Sequence, residues 1–503
     1  MRTRSRKISA FLLLYSAATP AFAAEELDPA AQEVAPTAFN NEPPAPVLDW
    51  GRGEGRSWWV PAADIVAFDV LLNLFDRAYF KDSQDFDVTW DSIEENATGG
   101  WVYDDDGFTV NQIGHPYQGS MYHGFARSAG LGYWESSAYT LLGSAFWEIT
   151  GETTPPSVND QITTGFGGSF LGEPLFRLAS LLLESGSSSR PSAWREWGAA
   201  AISPSLGFNR WAYGKRFDGV FRSHDPAVHT AAQVGMTLNA DVRSNVNRRR
   251  DPTMTEAAIS QDYDRGEVSA DFNVAYGLPG KPGYTYNRPF DYFNFQIAAA
   301  TGNALESVIS RGLLYGRPYG TGENYRGIWG LYGTYDYIAP QIFRVSSTGV
   351  ALGTTGQWWA SENVALQGTA LLGAGYASGG VINGTGDRDY HRGLTPQGLL
   401  AFRVIVGDRL LLEATGRDYY ITDRASEENG FENIARGDVA LTLRVWDLHG
   451  LTLRYVISHR DAHYDAIGDT QQTVNAVNLG YTYLGHKRFG AVDWRRSDVA
   501  PAP

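Results

Sequence analysis

The chain contains no cysteine and is short of charge: Asp, Glu, Lys and Arg make up only 19% of its 503 residues, against about 25% in ordinary soluble domains. Without thiols there is no disulfide scaffold. Positive charge is the scarcer sign, with 41 Lys and Arg against 56 Asp and Glu and a net charge of −15, which argues against nucleic acid as a partner. Long apolar runs are missing too. Beyond the first 23 residues nothing reaches the ~18 consecutive apolar residues of a membrane helix. The nearest stretch, Tyr133 to Ile149, is broken by Glu135 and Glu148. A mean hydropathy of −0.29 fits no stack of such helices. What abounds is Gly (56), Tyr (27), Phe (24) and Trp (15), the composition of short strands, tight turns and aromatic anchors. An apolar content of 43% excludes disorder as the main state.

Residues Met1 to Ala23 read as a secretory signal. Arg2, Arg4, Arg6 and Lys7 form the positive region, Ile8 to Ala18 the apolar stretch, and Ala21-Phe22-Ala23 the cleavage site. No Cys follows, so this is not a lipoprotein signal. Export without spanning helices leaves the periplasm or the outer membrane of a Gram-negative cell. Residues 24–56, rich in Pro, Ala and acidic side chains, read as a linker. A helical module is expected over 57–202, a barrel over 203–494 and a short tail at 495–503.

In the first helix of the module, Ile65, Phe68, Leu72 and Phe75 share one face and Asp69, Asn73 and Asp76 another. Further helices are expected at Tyr117 to Ala129, Tyr133 to Ile149, Ser157 to Glu184 and Pro191 to Ala201. Gly165, Gly168 and Gly172 would admit a second helix closely. After Ser203 the period becomes two. Val234, Met236 and Leu238 alternate with Gln233, Gly235, Thr237 and Asn239, and Leu451, Leu453, Tyr455 and Ile457 with Thr452, Arg454 and Ser458. Tight turns at Gly407-Asp408 and Asp447 to Gly450 alternate with long polar stretches at Gly379 to Gly393, Thr422 to Gly437 and His459 to Gln472. That combination is the pattern of a transmembrane barrel. The expected fold is therefore α+β: an N-terminal α-helical module followed by an antiparallel transmembrane β-barrel of about 12 strands. Tyr332, Tyr335, Tyr337, Trp358-Trp359 and Tyr419-Tyr420 read as interfacial girdles, and Trp494 as the aromatic nearest the strand terminus. The module is expected to plug the barrel, lie beside it or rest on the periplasmic leaflet.

The helical stretch also carries distinctive segments: Trp58-Trp59-Val60-Pro61-Ala62-Ala63-Asp64, Asp87-Val88-Thr89-Trp90, Phe146-Trp147-Glu148, Pro155 to Asp160, and Gly114-His115-Pro116-Tyr117-Gln118-Gly119-Ser120-Met121-Tyr122-His123. Over roughly residues 58–184 the chain resembles an uncharacterised bacterial family, domain of unknown function 3943. The resemblance implies a Gram-negative envelope protein and no particular chemistry.

His115, Ser120, His123 and Glu148 are the candidate catalytic residues. Arg127, Glu135, Asp160, Glu173 and Arg177 join them in one polar cluster, since buried ionisable groups need partners and often mark function. His123 and Arg127 are four apart, as are Glu173 and Arg177, so each pair can share a helix face. The bland alternative is a structural network between helices. No G-x-S-x-G surrounds Ser120, and no H-E-x-x-H supports a metal. Asp104-Asp105-Asp106-Gly107 reads as a turn rather than a calcium loop. Arg248-Arg249-Arg250 reads as a solvated loop. Glu413, Arg417, Arg444 and Arg454 fall in the lumen phase. No cofactor is implied. The partners expected are outer-membrane lipid and either a small polar solute or a periplasmic protein. A channel, carrier or structural envelope role leads, ahead of a lipid-acting hydrolase and a partner-binding scaffold.

Overall fold

The computed structural model describes residues 56–80, 83–185, 191–214, 217, 219–247, 266–381, 387, 390–423, 430–465 and 468–494. The signal, nearly all of the linker, Arg248 to Arg250 and the tail lie outside the described residues. Seven helices of at least nine residues come first: α1 (Trp59–Tyr79), α2 (Trp90–Thr98), α3 (His115–Ser128), α4 (Tyr133–Thr150), α5 (Gly168–Glu184), α6 (Ala193–Ile202) and α7 (Pro204–Tyr213). The helical region thus runs past residue 202 to Tyr213, and the first strand begins only at Val228. A π-helical turn leads into α3 (Val110–Gly114) and another into α5 (Gln161–Gly167). Glycine sets the closest helix approach. A Cβ on Gly168 would stand 2.5 Å from Gly119 Cα, and one on Gly119 would stand 1.9 Å from the Thr164 carbonyl oxygen. Only hydrogen fits there.

Twelve antiparallel strands close into a barrel, each paired with its sequence neighbour and β1 with β12. They are β1 (Val228–Asn247), β2 (Gly266–Tyr276), β3 (Phe293–Ala300), β4 (Ser307–Thr321), β5 (Tyr325–Ile338), β6 (Phe343–Ser361), β7 (Val364–Val381), β8 (Tyr390–Val406), β9 (Leu410–Asp423), β10 (Gly430–Trp446), β11 (His449–Tyr464) and β12 (Gly468–Leu484). Side chains of non-adjacent strands identify the inner face: Tyr419 of β9 donates to Asp336 of β5 at 2.6 Å, and Arg454 of β11 lies 3.6 Å from Asp271 of β2. The opposite phase is apolar and outward, as at Leu352, Leu372, Leu400, Leu441 and Leu453. That inversion is what lipid requires.

Several strands outrun the sequence expectation. Phe431 to Arg436 were read as loop, yet β10 pairs with β9 from Gly430 onward, and β11 continues to Tyr464. Those ends carry polar residues on the outer face as well, including Asn433, His459 and Asp461, so their alternation is invisible in hydropathy. The aromatic girdle reading also needs correction. Tyr332 points into the lumen in the phase of Asp336, and Tyr335 and Tyr337 face outward but are buried. Trp494 lies ten residues beyond the end of β12 at Leu484.

Segment 485–494 folds back into the barrel. The Val492 carbonyl accepts from Gln357 and Trp359, the Gly490 carbonyl from Gln367, and the Phe489 carbonyl from Arg403. Val492 N donates to Gln357, and the Trp494 indole to the Glu323 carbonyl. Phe489, Val492 and Trp494 join Leu278, Tyr286, Tyr292 and inward residues such as Tyr332, Leu371 and Leu411 in one apolar core at the end with short turns. Gly490 takes φ +79°, a conformation open to glycine. The helices do not enter this space. Ser310 on the outward phase of β4 donates to the Phe170 carbonyl of α5, outward Tyr335 donates to the Gln112 carbonyl, and the Phe170 ring lies against outward Gly333. Of the three placements open from sequence, the helices take the one beside the barrel, against its outer wall.

Candidate functional site

The polar residues singled out in the helices separate into two groups. The first surrounds Glu173, placed on α5 one turn before Arg177 and facing α3. Glu173 Oε2 accepts from Arg127 Nε at 2.7 Å and sits 3.0 Å from His123 Nε2, while Oε1 accepts from Arg177 Nε at 2.8 Å and Arg127 Nη2 at 3.1 Å. Arg177 also reaches the β2–β3 connection, donating to Asp291 at 3.1 Å and to the Pro289 carbonyl at 2.5 Å. Burial alone would raise the Glu173 pKa, but the two guanidinium groups and His123 hold it well below the usual carboxylate range. Burial lowers His123, which is therefore a neutral imidazole at pH 7. Arg288 pairs with Asp291 as well, at 3.3 Å, so three arginines share two carboxylates. This is a dry junction fastening α3, α5 and the barrel loop.

The second group gathers on Asp104, a residue the sequence places in a turn. Asp104 Oδ1 accepts from Asn111 at 2.8 Å and Asn159 at 2.6 Å, and Asn159 also donates to Asp160 at 3.1 Å. His115 Nε2 stands 3.6 Å from Asp160 Oδ2. Glu148 Oε2 accepts from Ser157 N at 2.8 Å. Burial raises Asp160, and the charges of Asp104 and Glu148 and a hydrogen bond with Asp104 raise it further. Burial would raise Asp104 as well, but that bond, the two asparagines and His115 outweigh it and keep Asp104 ionised. Burial lowers His115. Glu148 is raised by burial and by Glu152, and burial pushes Glu152 itself up to about 7. The outer wall of β8 completes the surroundings: Tyr390 Oη accepts from Asn111 at 3.0 Å, and Arg392 pairs with Asp105 at 2.7 Å.

Ser120 and Glu135 belong to neither group. Ser120 Oγ donates to the Tyr117 carbonyl at 2.6 Å, so no histidine is its base. Glu135 accepts from Gly132 N at 2.5 Å and caps α4. The sequence reading missed Asp104, Asn111, Asn159, Glu152, Asp291, Tyr390 and Arg392. Asn159 beside Asp160 and the Asp104 run were the only local signals. Asp291, Tyr390 and Arg392 had none, because they arrive from the barrel.

In the lumen Arg403 pairs with Glu413 at 2.8 Å, Arg417 with Asp438 at 3.2 Å, and Arg454 with Asp271 and Asp438 at 3.6 Å each. Arg444 pairs with Asp408 at the short-turn rim. A cavity of about 70 Å³ lies among Asp271, Asn478, Arg417, Arg436, Asp438 and Arg454. Among the described residues, no group of three or more His, Asp or Glu is placed to hold a metal ion.

A closed twelve-strand barrel with a charged interior and an apolar outer face defines an outer-membrane β-barrel protein. Residues 100–205 match the family Domain of unknown function (DUF3943), and α1 and α2 precede the matched stretch. No curated protein matches the chain in sequence. Among solved structures it is similar to the NanC porin, at 7% identity and TM-score 0.25 over 50% of this chain and 98% of that one. It is also similar to the outer membrane channel DcaP of Acinetobacter baumannii, at 8% identity and TM-score 0.22 over 51% of this chain and 96% of that one. The Pseudomonas putida toluene transporter TodX gives 7% identity and TM-score 0.22 over 52% and 90%. At those values the likeness says nothing about role.

Proposed function

We propose that the barrel is a closed, non-conducting anchor, and that the protein is a structural element of the outer membrane which holds its helical domain against the barrel wall. The observation that carries this reading is the lumen segment 485–494. Its six hydrogen bonds are worth about 0.5–1.5 kcal/mol each net. Burial of Phe489, Val492 and Trp494 adds about 1.5–3 kcal/mol apiece. The cavity of about 70 Å³ holds a few waters, at ~10–15 Å³ each by the same measure, and no sugar-sized solute. Planar-bilayer recording of the purified full-length protein should give no conductance steps. Reproducible steps from that protein would return the channel reading to the lead.

A second reading is favoured by the Asp104–Asp160 carboxyl pair beside His115. A protonated carboxyl bonded to an ionised one supplies an acid and a base at a single pH, which suits chemistry on a lipid. The nucleophile and base of a serine hydrolase are not assembled around Ser120. Lipid analysis of cells carrying Asp160→Asn tests this reading, since the amide preserves packing and removes the shared proton. Unchanged lipids alongside normal amounts of folded protein would set it aside.

A further inference from the structure

We infer that the helical domain is immersed in membrane lipid beside the barrel, with one stripe of α1 against the acyl chains; this rests on the barrel being a membrane anchor. The stripe consists of Val66, Val70, Leu71, Leu74 and Phe75, spaced three and four apart on one helix face and between 43% and 66% exposed. The other face is packed inward and is mixed: Ile65 is buried and Phe68 packs with it against Tyr122 and Phe125, beside three polar side chains. Asp69 accepts from the Tyr122 hydroxyl, Asp64 accepts from Tyr213 at 2.7 Å, and Asn73 donates to the Phe86 and Gly151 carbonyls at 3.0 and 2.8 Å. A helix on a water-facing surface turns one apolar side to the core and a polar side outward. This one is apolar on both sides, inward at Ile65 and Phe68 and outward along the stripe, so its outer side matches the outer face of the barrel strands.

The neighbourhood supports the same occupant. The α5 region covers outward positions of β4–β6, in the phase that elsewhere presents Leu352, Leu372 and Leu400 to the bilayer. The domain therefore stands where lipid would otherwise stand, and its free surface continues the apolar boundary of the barrel. Beyond α1, that surface bears Leu142 at 68% exposure and Trp197 and Trp211 at about 80%. Tryptophan is the side chain enriched where hydrocarbon meets headgroups. No helix among the described residues is long and apolar enough to cross a membrane alone. The neighbouring helices cover the inward side of α1, so it needs to face lipid on one side only. Its 21 residues extend about 31 Å at 1.5 Å per residue, close to the ~30 Å hydrocarbon thickness.

The absence of cysteine makes the test direct. Val70→Cys and Leu74→Cys on the stripe, and Glu94→Cys on α2, each give one attachment point for a nitroxide. The labelled full-length protein is reconstituted into phosphatidylethanolamine/phosphatidylglycerol vesicles, and collisions with oxygen and with a water-soluble nickel chelate are compared. Oxygen should exceed nickel at 70 and 74, and nickel should exceed oxygen at 94. Nickel access at 70 and 74 matching that at 94 would place the stripe in water and overturn the inference. Exclusion of both reagents there would mean a covering protein and would overturn it equally. A conducting barrel with an oxygen-exposed stripe would sink only the closed-anchor reading. A closed barrel with a nickel-exposed stripe would sink only this one.

Discussion

In the barrel lumen, ion pairs join strands across the ring and their members keep some contact with water; Arg454 and Asp271 are 25% and 16% exposed. In the helical domain, Glu173 is wholly buried, and its partners Arg127, Arg177 and His123 are at most 1% exposed. The lumen pairs form within a ring whose backbone ladder is complete without them. The Glu173 group is what joins α3, α5 and the Arg177–Asp291 contact to the barrel loop. The same chemistry is thus optional in one region and obligatory in the other, because water can replace a lost partner in the lumen and cannot in the junction.

The largest effect should come from Glu173→Ala. It leaves buried Arg127 without a carboxylate and Arg177 with Asp291 alone, a loss that typically costs ~3–5 kcal/mol, and heat-modifiability on a gel should show loss of the folded form. Survival of a fully heat-resistant barrel would mean that the two regions fold independently. Gly168→Val comes next: with Gly119 Cα 2.5 Å from any Cβ at that site, the helices must part, at about 1–3 kcal/mol. The expected result is increased protease cleavage within the helices while the barrel stays intact.

A pH comparison sharpens the contrast further. Glu152 titrates near 7 when folded, through burial opposed by bonds from Trp147 and Thr154, with Asp106 and Asp104 raising it further; its ordinary value is about 4.3. The folded state therefore binds more protons than the unfolded one between those values, so this carboxyl's penalty is absent near pH 4 and complete above pH 7. Glu152→Gln removes that penalty. Thermal unfolding of the variant should exceed that of the wild-type protein by about a few degrees at pH 8 and by little at pH 5; a gain independent of pH would contradict the assignment. The smallest effect belongs to the lumen: Arg454→Met should cost about 1 kcal/mol or less, seen as a near-unchanged urea midpoint.

The sequence made the barrel legible through its period of two, because apolar residues facing lipid alternate with lumen residues at every step along β1 and β11. It failed for the ends of β10 and β11, where both faces are polar and alternation carries no contrast. Within the helices, periodicity placed α3 and α4 nearly to their observed limits and found the end of α5, but the turns expected after Ser157 are instead largely π-helical. It also set His123 with Arg127 and Glu173 with Arg177. It could not say that His115 belongs with Asp104 and Asp160 while His123 belongs with Glu173. Ser120 looked like a nucleophile only because it lies between two histidines in the chain.

Strand phase, helix spacing and the shortage of long apolar runs are local properties, so the chain alone determined a helical region followed by an outer-membrane type of barrel. Which way α1 faces is different. Ile65 and Phe68 on one side and Val66, Val70 and Leu74 on another are all written in the sequence, but which side is inside depends on what packs against it. Only the tertiary structure put Tyr122, Phe125 and Tyr213 against the side of Ile65 and Asp69. The same holds for the lumen segment and for Asp291 beside Arg177. Those contacts join residues more than a hundred positions apart, and no periodicity within a segment encodes a partner that distant.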